Sequence, residues 1–130
     1  MKYTYTAVFT PTEDGKEFYA RVPDVPGCVT TGDDIEDAME QITDALGGCL
    51  VVAEDQGLGI AAPTPQSDIP HGTGDVLSLI RVDTIAYRAR TDNRAVRKNV
   101  SIPAWMAKLA DQRGINCSKL LQDALSQALA

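Results

Sequence analysis

Apolar and polar residues alternate at the start of the chain, as they do in half-buried strands. Tyr3-Thr-Tyr-Thr-Ala-Val-Phe9 is rich in β-branched and aromatic residues. After Pro11 and the Glu13-Asp14-Gly15 cluster, Phe18-Tyr-Ala-Arg-Val22 resumes the pattern, which predicts a β-hairpin. Pro23-Asp-Val-Pro-Gly27 then makes a turn, its prolines holding φ and its glycine opening a conformation closed to other residues. A short third strand is expected over Cys28 to Thr31.

At Asp33 the period lengthens to that of a helix. Ile35, Ala38, Met39, Ile42, Ala45, Leu46 and Cys49 recur at steps of three and four, with Asp33 and Glu36 in the spacing of a capping box and Gly57 as the stop. Gly47 and Gly48 cost such a helix about 1 kcal/mol each relative to alanine, which points to close approach of helix and sheet, with a kink as the rival. Residues 57–74 hold Pro63, Pro65, Pro70 and four glycines and read as a long loop, and Val76 to Val82 reads as a strand. The order β-β-β-α-β over residues 1–82 is enough for a small α+β domain with a helix on one face of its sheet. Residues 83–95, basic through Arg88, Arg90 and Arg94, read as a linker that Tyr87 anchors to one side or the other.

The remaining segment, residues 96–130, changes character again. Arg97-Lys-Asn-Val-Ser-Ile102 alternates, Pro103 ends it, and Trp105, Met106 and Leu109 share a helical face up to the break at Gly114. Asn116 is a good N-cap for a second helix with apolar Leu120, Leu121, Ala124, Leu125, Ala128 and Leu129. Some thirty-five residues ordered strand, helix, helix fall below the size at which a chain folds alone without metal or disulfide. This unit is therefore expected to be stable only as a dimer.

Charge sharpens the division. The net charge of −6 would alone argue against a phosphate-binding surface, but it is an average of two unlike parts. Residues 1–80 carry three basic and fourteen acidic side chains, a balance of −11, while residues 81–130 carry nine basic and four acidic, a balance of +5. Such asymmetry suggests modules with different partners. With 44% hydrophobic residues the chain is globular, and no apolar run approaches the roughly 20 residues that span a bilayer. The N-terminus alternates rather than forming an apolar block, so no signal peptide is expected. Cys28, Cys49 and Cys117 are odd in number and form no CxxC pair, which points to a reducing, cytoplasmic compartment and to thiols that pack rather than react.

Catalytic patterns are sparse. His71 is the only histidine, so no chain-internal His pair or HExxH metal site exists. Glycines at 72 and 74 lack the Lys and Ser/Thr of a phosphate loop, and neither Ser67 nor Ser78 stands in a nucleophile elbow. Neither enzyme activity nor a cofactor is implied.

The strand-helix-helix pattern over residues 96–130, with its proline just after the strand, resembles the ribbon-helix-helix family of DNA-binding proteins. The resemblance implies that two copies pair their strands into a ribbon that enters the major groove. Val100 and Ile102 lead into the apolar helix and should face the core, turning Arg97, Asn99 and Ser101 toward base edges, which these side chains suit. Lys98 breaks the inward apolar alternation. The resemblance also implies that Asn116, Cys117 and Ser118, at the start of the second helix, grip a backbone phosphate through free N–H groups and the helix dipole.

Val22-Pro-Asp-Val-Pro-Gly-Cys-Val-Thr-Thr-Gly-Asp33, followed by the acidic amphipathic helix, resembles the HicB antitoxin family. That resemblance implies a partial ribonuclease-H-like N-terminal domain that neutralises a small, basic, RNA-cleaving HicA-like toxin. It further implies a C-terminal ribbon-helix-helix domain, residues 96–130, that dimerises and represses the operon at operator DNA, with a higher oligomer left open. Nuclease activity in such a fold needs carboxylates converging on two metal ions, one of them on the first strand. Tyr3 to Thr10 contains none, and Asp33, Asp34, Glu36, Asp37, Glu40 and Asp44 follow a helix surface. The sequence names no toxin-contacting residue, since two prolines and a glycine set a backbone path rather than a contact. The rival reading is a ligand-sensing repressor with the same DNA-binding end.

Overall fold

The computed structural model describes all 130 residues, which divide into two units, Met1–Thr91 and Asp92–Ala130. In the first, β1 (Lys2–Pro11), β2 (Phe18–Arg21), β3 (Val29–Gly32) and β4 (Val76–Asp83) form one antiparallel sheet in the order β3-β2-β1-β4. β1 is long and lies inside the sheet, pairing with β2 from Val8↔Arg21 to Pro11↔Phe18 and with β4 from Lys2↔Asp83 to Phe9↔Val76. Its odd residues Tyr5, Ala7 and Phe9 are buried under a helix, and Thr6 and Val8 on the opposite face are buried as well.

That helix, α1 (Ile35–Gln56), lays Ala38, Ile42, Leu46 and Leu50 against Tyr5, Ala7, Phe9, Ala20, Val22, Ile80 and Val82. Each large aliphatic or aromatic side chain so buried contributes about 1.5–3 kcal/mol. The capping box sits one residue later than expected. Asp34 is the N-cap and accepts the Asp37 N–H at 2.7 Å, while Asp37 accepts the Asp33 N–H at 2.8 Å, because Asp37, not Glu36, stands three residues past the cap. At the other end Gly57 takes a left-handed φ of 65° and Leu58 N–H reaches back to the Ala53 carbonyl.

The loop after α1 is pinned at several points. Tyr5 donates its hydroxyl to the Ala61 carbonyl, Thr64 donates both N–H and hydroxyl to Asp24 (2.8 and 2.6 Å), and Arg21 donates to the Pro70 carbonyl at 3.2 Å. Asp24, between the two prolines, is thus a structural anchor. Cys28 is buried, and burial together with the neighbouring Cys49 thiol pushes its thiol up to about 12. It packs as an inert small apolar group. Cys49 is half-buried and Cys117 is exposed, so packing does not account for the third thiol.

The linker expected over 83–95 is a helix over most of its length. α2 (Thr84–Thr91) belongs to the first unit, and the boundary falls after Thr91. Tyr87 lies over Gly47 and Gly48, where a Cβ on Gly47 would stand only 2.5 Å from the ring. The two glycines therefore admit a neighbouring helix, not the sheet, and α1 runs through them unbroken. Arg88 donates to Asp55 (2.8 Å) and Glu54 (3.2 Å), and Arg90 to Asp44 (3.4 Å). Two of the three basic residues that suggested a linker, Arg88 and Arg90, are thus partners of acids on α1, while Arg94, beyond the boundary, pairs with Asp92.

In the second unit, α3 (Ala104–Gln112) and α4 (Cys117–Leu129) are joined through Gly114, whose φ is 64°. Asn116 caps α4, its side chain accepting the Lys119 N–H at 3.1 Å. The strand expected over Arg97–Ile102 is not formed, and residues 92–103 carry no regular structure. A strand is defined by its ladder to a neighbour, and no segment of this chain pairs with that stretch.

Candidate nucleic-acid interface

Residues 92–130 contain no buried side chain. Ala107 and Ala110 are half-covered, and everything else is exposed, including Trp105 at 61% and Leu120 at 60%. Their apolar groups nevertheless collect in one place. Val100 and Ile102 line a groove with Met106, Ala110 and Leu121, and Lys98 lines it with them. Lys98, Val100 and Ile102, the even residues of 97–102, thus share the groove of the two helices. Arg97, Asn99 and Ser101 are exposed and take no part in lining it.

The other three singled-out residues lie at the start of α4. The first turn of a helix leaves N–H groups without intrahelical acceptors, and Asn116 takes up that of Lys119. Cys117 and Ser118, the first two residues of α4, border the same apolar groove. Redrawn at the observed boundary, residues 92–130 carry six basic and three acidic side chains, a balance of +3, and residues 1–91 six basic and fifteen acidic, a balance of −9.

On the first unit, Glu36, Glu40 and Asp44 follow an exposed face of α1 with Met39 between them, and Arg90 closes on Asp44. These carboxylates do not converge. No group of three His, Cys, Asp or Glu is placed to hold a metal ion, and β1 has no carboxylate. His71 is exposed, its Nδ1 2.9 Å from the Ile69 carbonyl. No helix is long and apolar enough to cross a membrane.

The densest polar cluster escaped the sequence reading. Glu54 accepts hydrogen bonds from Tyr3 (2.9 Å), Thr84 (3.1 Å) and Arg88 (3.2 Å), joining β1, α1 and α2. Desolvation raises its carboxyl, but the three hydrogen bonds and the Arg88 charge outweigh it and hold the group below the usual carboxylate range. A signal was present: Glu54 and Asp55 interrupt the end of α1, and Arg88 follows in a segment of helical length.

Over residues 5–125 the sequence matches the family described as "HicB_like antitoxin of bacterial toxin-antitoxin system". Among solved structures, a toxin-antitoxin complex from Streptococcus pneumoniae superposes with a TM-score of 0.58 at 23% identity, covering 98% of this chain and 99% of that one. The antitoxin HicB of Burkholderia pseudomallei gives 0.55 at 24% identity, with 98% and 99% covered. The N-terminal domain of that antitoxin, solved separately, gives 0.54 at 22% identity and covers 62% of this chain and 99% of that one. At these identities the structures establish the shared mixed α+β fold. No curated protein sequence matches the chain.

Proposed function

The chain belongs to the HicB-like antitoxin family of bacterial toxin-antitoxin systems, and from that premise we propose that its two units divide the work. Residues 1–91 bind and neutralise a HicA-like, RNA-cleaving toxin. Residues 92–130 pair with a second copy as a ribbon-helix-helix domain that represses the operon. The β-β-β-α-β order of the first unit supports its reading as a partial ribonuclease-H-like fold, and its balance of −9 suits a basic partner. Inhibition proceeds by covering the toxin's RNA surface, in the cytoplasm and without catalysis by this chain.

The observation that carries the DNA-binding half is the alternation of residues 97–102 about the apolar groove. With Val100 and Ile102 directed into it, pairing with the same segment of a second copy forms a two-stranded ribbon whose outer face presents Arg97, Asn99 and Ser101. Arg forks onto guanine, Asn onto adenine, and Ser contacts either kind of edge. The start of α4, at Asn116, Cys117 and Ser118, grips a flanking phosphate with N–H groups and the positive end of the helix dipole. Dimerisation places two such ribbon strands on symmetric half-sites.

Titration of the operator with full-length protein tests this. Arg97→Ala is expected to weaken binding by about 1–3 kcal/mol and to relax sequence preference, and unchanged affinity sinks the assignment. Deleting residues 96–130 should abolish operator binding while a small basic protein encoded beside this chain still co-purifies with it. Loss of both would show that the units do not act separately.

A further inference from the structure

The sheet has one long edge to which no further strand of the chain is paired. β4 pairs only with β1, over eight residues, in a register without a bulge from Lys2↔Asp83 to Phe9↔Val76. Natural proteins guard such edges with short strands, lysines, prolines or bulges. β3, at the opposite edge, is four residues long. From Val76 to Ile80, β4 has none of these devices, and Leu79 stands 61% exposed on it.

We infer that the free edge of β4 pairs antiparallel with the β4 edge of a second copy of this chain, about a two-fold axis through Ser78.

The argument is the order of residues. Asp75-Val-Leu-Ser-Leu-Ile-Arg81 has the same chemical sequence read from either end, with opposite charges at its two ends. Laid antiparallel on itself about Ser78, it sets Leu77 opposite Leu79, Val76 opposite Ile80, and Asp75 opposite Arg81, twice over by symmetry. Cross-strand pairs of these kinds are the unit of sheet stabilisation. Of the two neighbouring registers that keep the same faces together, the one centred on Leu79 puts Asp75 against Asp83 and Leu77 against Arg81, and the one centred on Leu77 leaves Asp75 against Leu79 and Arg81 against Thr73, so register is strongly discriminated. Pairing about a residue also keeps the α1-covered faces of both copies on one side of a continuous sheet.

Both end groups carry the charge the pairing uses, Arg81 uncommitted within the chain and Asp75 already held by neighbours in it. Arg81 is exposed and forms no ion pair within the chain, its neighbour on β1 being Thr4. Asp75 accepts the Gly72 N–H at 2.8 Å, and this bond, the Thr10 hydroxyl and the positive Arg21 hold its carboxyl below the usual range, so it is ionised. This contact is separate from the pairing proposed for residues 92–130 and does not depend on the antitoxin reading.

Disulfide trapping in the full chain tests the register, with Cys117→Ser removing the exposed thiol. Residues opposed across an antiparallel pair have Cα atoms about 4.5–5.5 Å apart, within the roughly 4.4–6.8 Å that a disulfide spans. Ser78→Cys, close to isosteric, should therefore give a disulfide-linked dimer under mild oxidation, read on a non-reducing gel. Arg81→Cys should not, because its two copies would lie six residues apart along the strands, about 20 Å. Adding Arg81→Glu to Ser78→Cys turns both end pairs repulsive and should slow linking about tenfold. Equal linking at 78 and 81, or a folded Ser78→Cys chain that never links because the edge is open or held by another protein, overturns the inference, as does indifference to Arg81→Glu.

Discussion

The two units carry similar apolar helices and use them in opposite ways. In residues 1–91, Ile42, Leu46 and Leu50 of α1 disappear into a core that this chain supplies by itself. In residues 92–130, Leu120, Leu121 and Leu125 of α4 form an equally regular stripe and remain exposed. At about 1.5–3 kcal/mol for each large side chain buried, the first unit gathers enough to offset the entropy of ordering its chain, and the second does not. Periodicity shows which face of a helix is apolar, but not whether the surface it fits belongs to the same molecule.

The comparison breaks most visibly under truncation of a leucine. Leu46→Ala should lower the stability of the first unit by about 2–5 kcal/mol, by the same amount at any protein concentration. Leu125→Ala should act instead through association, so that melting of α3 and α4 shifts with concentration and the variant needs more protein to reach the same midpoint. Thermal denaturation followed by circular dichroism over a hundredfold concentration range separates the two. If the C-terminal helices melt at one temperature throughout, the second unit is self-sufficient and the contrast fails.

The difference also explains what was legible in the sequence. The β-β-β-α-β order, the break at Gly114 and the Asn116 cap follow from local rules, since turn residues, caps and periodicity act within a few positions. What was missed depends on contacts distant in sequence. α2 looked like a linker because eight residues, with two bases and only Ile85 and Tyr87 as large apolar or aromatic groups, are too few to make a helix that stands alone. Its helix is held by Tyr87 on Gly47 and by Arg88 on Glu54 and Asp55, more than thirty residues away. Asp24 similarly hid its bonds to Thr64 behind a turn motif. At residues 97–102 the alternation was legible, but no strand forms there within the chain; on the proposed pairing a second copy would supply the other half of the ladder.

A smaller effect tests whether α2 truly belongs to the first unit. Gly47→Ala gains about 1 kcal/mol of helix propensity but drives a methyl into the Tyr87 ring, an overpacking that costs typically about 1–3 kcal/mol. Net destabilisation is expected in the native background. In a Tyr87→Ala background only the propensity remains, so the same substitution should stabilise. Denaturant unfolding of the four proteins measures that reversal of sign. Without it, Tyr87 is not what the glycines accommodate.

The smallest predicted effect is a dependence on pH. The Glu54 carboxyl is held below its ordinary value in the folded protein, burial opposing and the bonds from Tyr3, Arg88 and Thr84 with the Arg88 charge prevailing. A depressed folded value means that the unfolded chain takes up this proton first as pH falls. The stabilisation is therefore complete above the ordinary glutamate range and drains away as pH drops through the folded value. Glu54→Gln keeps the shape and an acceptor oxygen but has no proton to exchange. It should cost about 1 kcal/mol at neutral pH, and the gap between the two proteins should close in acid. Asp14 and Asp75 are depressed in the same direction but are common to both proteins, so the difference between the two stability curves isolates Glu54. A gap that persists unchanged however far the pH is lowered while both proteins stay folded would mean that the residue acts by packing between β1, α1 and α2, with its charge contributing nothing.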